Sequence, residues 1–251
     1  MSGNDLAWRV ERACTAAYPP LAVERVGDWA VARSGGGSRR TNAASALAPG
    51  AALDAAVVDA IAACYAAAGL PTILRLTDLV PDAAALLDKL HFAAPEGRTL
   101  TLLRNVDRPR ASSDDVTIAA SPGSTWLDAR RRLTSGIEDP ALVAARIASP
   151  AAYAYRTAAT DAIEAIGYVA VTDDIAVIEA VATTPAARRT GHARAIVTAL
   201  VGWAIEAGAR HLALQVEATN HPARALYAGL GFSTHLYGYH YRRSSPCPTP
   251  V

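Results

Sequence analysis

Two stretches of this chain follow the same pattern at a nearly fixed distance, and this constrains the fold more than any other feature of the sequence. Ala68-Gly69, an apolar strand, a short helix and Leu90-His91-Phe92 are matched by Ala207-Gly208, an apolar strand, a short helix and Leu230-Gly231-Phe232. Gly69 and Gly208 lie 139 residues apart, Phe92 and Phe232 140, so a single gap reconciles the two copies. In this register Leu86 matches Leu226, Leu90 matches Leu230, and Leu87 falls opposite Tyr227. Ala-rich amphipathic segments can coincide by chance, but several element types recurring in order are the mark of a repeated unit. Both halves should then share a strand–helix–strand–helix–strand order.

Composition narrows the function. The 251 residues suit one large domain or two small ones, and 51% hydrophobic against 19% charged residues is enough for a packed core. A net charge of +1 lacks the basic footprint of a dedicated nucleic-acid binder. No apolar run reaches the ~20 residues of a membrane span, and the nearest, Ala51 to Leu70, carries Asp54 and Asp59. Met1 to Arg12 is mostly polar, with no visible secretory signal. Cys14, Cys64 and Cys247, an odd count without metal or disulfide spacing, fit a reducing, cytoplasmic compartment. Six scattered histidines suggest no metal site.

Periodicity and turn signals give a coarse map. In the first half, Asp5 to Tyr18 reads as a helix, and Leu21 to Ser34 as two short strands turning at Gly27-Asp28. Ser34 to Ser38, with its three glycines, reads as a flexible hairpin connection rather than a phosphate cradle, leading into a strand over Arg39 to Leu47. A helix over Ala51 to Gly69, a strand over Pro71 to Thr77, a helix over Asp82 to His91 and a strand over Arg98 to Val106 follow. The polar stretch Asn105 to Asp115 is the candidate linker. Beyond it come a strand at Val116 to Ala120, helices at Ser124 to Leu133 and Pro140 to Ala148, and strands at Ala151 to Ala158, Ala162 to Thr172 and Ile175 to Thr183. A helix over Gly191 to Ala207, a strand over His211 to Ala218, a helix over Pro222 to Leu230 and a strand over Ser233 to Arg242 complete the second half. The expected division is 1–108, a linker at 109–115, 116–243, and a disordered tail at 244–251.

Chemistry concentrates between Val177 and Arg194. An apolar strand enters a turn at Pro185, then a basic, glycine-containing loop, then a helix. The first N–H groups of a helix lack internal partners and its dipole favours an anion, so this is a ready phosphate site. Gly191 allows close backbone approach, Ala193 is small, and Arg188, Arg189 and Arg194 add positive charge.

Arg188-Arg189-Thr190-Gly191-His192-Ala193 resembles the Arg/Gln-x-x-Gly-x-Gly/Ala signature of the GNAT superfamily of N-acetyltransferases. Thr183-Thr184-Pro185 stands where that superfamily has Val-x-Pro. Asn220 to Phe232 matches its second pattern, Asn-x-x-Ala-x-x-Leu-Tyr-x-x-x-Gly-Phe. The likeness covers about residues 116–243; the first half resembles it only through the repeat, with Leu47 to Ala51 in place of the basic loop. Trp29 to Asn42 is similar, less specifically, to an added N-terminal region of some GNAT proteins. The resemblance implies an α+β fold of two GNAT-like units, each a central mixed sheet flanked by helices, the second complete and the first degenerate.

It also implies an acetyl-CoA donor and no metal. The pyrophosphate would lie on the amides of Arg189 to Arg194, with Arg188, Thr190, His192 and Ala193 in the same cradle. The pantetheine would pair with Val181, Ala182 and Thr183 between two splayed parallel strands, with Asn220 touching its amides. A backbone N–H near Val181 or Ala182 would polarise the thioester carbonyl. The acceptor would be a small-molecule amine or a protein N-terminus, and the protein a monomer or homodimer without nucleic-acid or membrane partners. The alternatives are a non-catalytic acyl-CoA-binding regulatory module, or a transferase using another acyl-CoA.

An alkyl amine is almost wholly protonated at neutral pH, so transfer gains from a base. Glu179, on the strand entering the loop, is that candidate, against a carboxylate on a solvated strand edge or in a salt bridge to an arginine; Glu217 is the reserve. Tyr227 is the candidate proton donor to the leaving thiolate, against a core aromatic. Asp173-Asp174 reads as a hairpin turn.

Overall fold

Short runs of β-branched, aromatic and small residues, broken by glycines, assemble into a single sheet. The computed structural model describes residues 3–106, 115–134, 143, 151–157 and 162–244. The first half contains α1 (Gly3–Ala17), β1 (Ala22–Val26), β2 (Trp29–Arg33), a 3-10 turn (Arg39–Asn42), β3 (Ala44–Ala46), α2 (Ala55–Ala66), β4 (Ile73–Thr77), α3 (Ala84–Lys89) and β5 (Glu96–Asn105). The second contains β6 (Thr117–Ala119), α4 (Ser124–Leu133), β7 (Ala151–Thr157), β8 (Ile163–Thr172) and β9 (Ile175–Thr183). It continues with α5 (His192–Glu206), β10 (His211–Glu217), α6 (His221–Ala228) and β11 (Thr234–Arg243).

The order β3–α2–β4–α3–β5 recurs as β9–α5–β10–α6–β11. The parallel pair β3–β4 (Ala44↔Leu74, Ser45↔Arg75) answers the parallel pair β9–β10. The last strand of each half, however, crosses to the other. The sheet runs β1-β2-β3-β4-β11-β5-β10-β9-β8-β7-β6. β11 therefore lies on β4, from Tyr239↔Thr77 to Arg243↔Ile73, and β5 on β10, from His211↔Asn105 to Glu217↔Thr99. What the repeat suggests as two sheets is one continuous mixed sheet with helices on its faces.

α5 lays Ile196, Val197, Leu200, Val201 and Ala204 on one face of the second half's sheet, among Ala165, Val169, Ala176 and Ile178. α1 and α4 cover the opposite face, with Val10, Ala13, Ala17, Trp126 and Ala129 against Ile166, Tyr168 and Val177. α2 packs Val58, Ile61 and Tyr65 over Trp29, Val31 and Leu74. α5 sits so close to β8 that a Cβ at Gly167 would come 2.8 Å from Ile196 Cγ2 and 3.1 Å from Leu200 Cδ1. Ile196 is stiff at χ1 within a helix. Gly167→Ala should therefore lose about 1–3 kcal/mol in urea unfolding; an unchanged midpoint would mean that α5 has room to retreat.

Two expected boundaries move for local reasons. The strand expected over Arg39 to Leu47 shrinks to Ala44–Ala46, because Asn42 ties the preceding loop into a turn. Its Oδ1 accepts from Ser34 N at 2.8 Å and its Nδ2 donates to Gly35 O and Ser38 O at 2.8 and 2.9 Å. The helix expected from Ala51 begins at Ala55, since Asp54 Oδ1 accepts from Val57 N at 2.9 Å and caps it there. Asp173-Asp174 forms the expected hairpin turn between β8 and β9, and Asp174 pairs with Arg9 of α1. Residues 109–114 of the expected linker, the helix expected over Pro140 to Ala148 (save Val143) and residues 245–251 lie outside the described residues.

Candidate active site

The parallel pairing of β9 with β10 stops early. It runs from His211↔Ile175 to Leu214↔Ile178, after which both strands continue apart. β10 keeps β5 on its other edge through Glu217↔Thr99, and β9 keeps β8 through Ala165↔Thr183. A register shift opposite Ile166 and Tyr168 coincides with Ala180 at φ +53°, a bulge that bends β9 away. Among the described residues, no strand pairs with the β10-facing edge of Glu179 to Thr183. Val181, Ala182 and Thr183 thus border a wedge between two strands.

The wedge leads to the N-terminus of α5. Ala187 N donates to Thr184 O at 3.1 Å and Thr190 Oγ1 to Ala187 O at 2.7 Å, which curls the loop. Gly191, at the helix N-cap, has φ +92°, a conformation that favours glycine, although a Cβ there would meet nothing. Arg188, Arg189 and Thr190 are exposed, and exposed Arg194 reaches Gly229 O at 3.4 Å on α6. His192 points the other way: its buried Nδ1 lies 3.6 Å from Glu164 Oε2. His192 and Ala193 can therefore serve an anion through their backbone N–H groups, the arginines through their charge. An open, basic helix end at the foot of an unpaired strand edge suits the phosphates and amide arm of an acyl-CoA.

Asn220 caps α6, its Oδ1 accepting from Ala223 N at 3.2 Å. One helical face further on, Tyr227 is buried at 8% exposure, its ring edge-on to Phe232 at 6.3 Å. Burial, assisted by the charge of Glu179, pushes its phenol up to about 12.

Beside the wedge is a cavity of about 360 Å³ lined by Glu179 and Glu217. The structure places Glu179 in an ion pair, 2.7 Å from Arg40 Nη1. Arg40 directs the same nitrogen to Gln215 Oε1 at 2.8 Å, which also accepts from Tyr239 Oη at 3.2 Å. Burial alone would depress the Arg40 guanidinium, but Glu179, joined by Tyr239 and Cys14, more than reverses this and holds it above the ordinary arginine range. Glu217 is paired with Arg39 at 3.2 Å. Arg39 and Arg40 belong to the first half, in the 3-10 turn, and sequence patterns missed them. Contacts across 139 and 178 residues leave no local periodicity, although both residues fall within the Trp29 to Asn42 run.

Among the described residues, no group of three or more His, Cys, Asp and Glu could hold a metal ion, and no helix is long and apolar enough to cross a membrane. A search of curated proteins finds no match. Solved structures share the fold across nearly the whole chain. A GCN5-related N-acetyltransferase from Kribbella flavida is 15% identical, covers 98% of this chain and 96% of its own, and superposes with a TM-score of 0.68. A tandem GNAT protein from the clavulanic acid biosynthesis pathway is 12% identical, covers 99% and 89%, and has a TM-score of 0.60. At these identities the likeness speaks for the fold alone. The family model described as "Probable histone acetyltransferase Rv0428c C-terminal" matches residues 8–243. The chain shares the fold of GNAT acetyltransferases, belongs to this acetyltransferase family and is an acyltransferase.

Proposed function

We propose that the protein transfers an acetyl group from acetyl-CoA to an amine, by direct attack within a ternary complex. The observation that carries this reading is the wedge between β9 and β10, ending on the arginine-rich start of α5. In this reading the edge of Val181 to Thr183 pairs with the pantetheine, and the amides from Arg189 to Arg194, with Arg188 beside them, hold the pyrophosphate. Asn220 commits its Oδ1 to the helix cap and so would contact the pantetheine through Nδ2. The donor supplies the acyl thioester, and a backbone N–H near Val181 or Ala182 polarises its carbonyl. The first half, 1–108, which lacks the basic loop and the tyrosine, serves the acceptor side of the second, 116–243. Three cysteines without a disulfide framework suit a cytoplasmic setting.

Glu179 is the proposed base, with Glu217 in reserve. An incoming ammonium must then compete with Arg40 for the Glu179 carboxylate. Tyr227 keeps its proton throughout the neutral range. Full transfer to a thiolate of pKa ~8.5 would be uphill by about 3.5 pK units, or ~5 kcal/mol. Its contribution is therefore a hydrogen bond donated to the departing sulfur. Tyr227→Phe should slow thiol release with an accepted amine about 10- to 100-fold while acetyl-CoA binding stays nearly intact. An unchanged rate would assign Tyr227 to packing against Phe232, and an enzyme that releases no thiol with any amine would overturn the transfer itself.

A further inference from the structure

We propose that the acceptor is a zwitterion, an α-amino acid or a close relative carrying its amine next to a carboxylate, and that Arg40 binds the carboxylate. The inference rests on the transferase reading above and adds the substrate class. It starts from a difference between the repeats. In the second half β8 and β9 are joined by the two residues Asp173-Asp174, whereas the corresponding β2 and β3 are joined by ten, Ser34 to Ala43. This insertion is held in shape by Asn42, and it stands Arg39 and Arg40 in the cavity of the other half.

There Arg40 touches the carboxylate assigned to the amine, with Nη1 2.7 Å from Glu179 Oε1. A molecule that approaches this pair meets a cation and an anion in contact. An α-amino acid presents the complementary arrangement, ammonium and carboxylate on one carbon, and can set its charges alternately against them. A plain alkylamine or a lysine side chain brings only the cation, which Arg40 repels. Guanidinium carries five N–H donors in a planar fork suited to carboxylate, and Gln215 takes one of them. The cavity as a whole agrees: its charged lining includes Arg39 and Arg40 with Glu179 and Glu217 and presents both signs of charge, as a ligand carrying both would need. Its volume of about 360 Å³ is that of a small-molecule site.

The test compares common α-amino acids with their own carboxamides, as acceptors in acetyl-CoA thiol release and as ligands of the CoA-loaded protein in calorimetry. Wild type should favour an amino acid over its carboxamide by at least about 10-fold in kcat/KM. Arg40→Gln should bring that ratio to about one, with ~100-fold loss for the amino acid, while Arg40→Lys should retain part of the preference. A wild type that uses carboxamides or plain amines as well as amino acids, or a ratio that survives Arg40→Gln, would overturn the inference and leave the transferase reading standing. If no amine is acetylated, calorimetry decides independently. Amino-acid binding lost in Arg40→Gln would sustain the site and sink the transfer, and no amino-acid binding in wild type would sink the site.

Discussion

Glu11→Ala should destabilise the protein by about 3–5 kcal/mol at neutral pH, because it strands a buried arginine. Glu11 of α1 is bound by both Arg75 of β4 and Tyr237 of β11. Arg75 Nη2 donates to Glu11 Oε2 at 3.0 Å, and Tyr237 Oη donates to the same oxygen at 2.6 Å. Arg75 also stacks 3.8 Å over the Tyr239 ring, and the whole group is buried. The network joins three segments separated by 64 and 226 residues, among them the strand that crosses between the halves. Burial raises the Glu11 carboxyl, but the Arg75 charge and the two donors outweigh it and leave the pKa below the ordinary value. The sign follows. A carboxylate with a depressed folded pKa contributes stability that is present above its unfolded pKa of ~4.3 and is lost as pH falls through the folded one. Urea unfolding should therefore show a large wild-type advantage at pH 7 that shrinks below about pH 4. A difference under about 1 kcal/mol at pH 7 would mean that Arg75 finds another partner.

Gly191→Glu should abolish stabilisation by acetyl-CoA. A donor that binds only the folded protein adds about 2.7 kcal/mol at a hundred times its Kd, or roughly 5–10 °C in a chain of this size. The variant puts a carboxylate into the proposed anion site and forces a non-glycine residue to φ +92°. Its melting temperature without ligand will also fall, so the quantity to measure is the increment on adding acetyl-CoA. A full increment in the variant would remove the pyrophosphate from this loop. Gly191→Ala separates the two effects: the space beyond Gly191 is open, so alanine brings backbone strain without charge.

Local rules carried most of the fold. β9 and α4 fall on the residues their patterns indicate, and the repeat anchored at Gly69 and Gly208 recurs as the same run of elements. The strand–loop–helix unit around Arg188 to Arg194 was legible because its parts are local: a strand end, a glycine and a helix start within one short segment. The pairing of strands was not legible. β5 and β11 alternate in the same way whether they pair within a half or across it, and nothing in either strand encodes the partner. The cavity proposed for the acceptor was half legible. Glu179 could be placed on the strand entering the loop, but its partner Arg40 stands 139 residues away on a turn whose glycines read as a plain connection.

The crossing of β5 and β11 also bears on how such a gene can change. A repeat that closes on itself can be deleted or traded between genes as a module. Here either half alone would leave bare strand edges where the other's last strand had been, an invitation to aggregation. Loss of the first half would bare β10 and β11 and would also take Arg39 and Arg40 out of the cavity, so the two halves depend on each other.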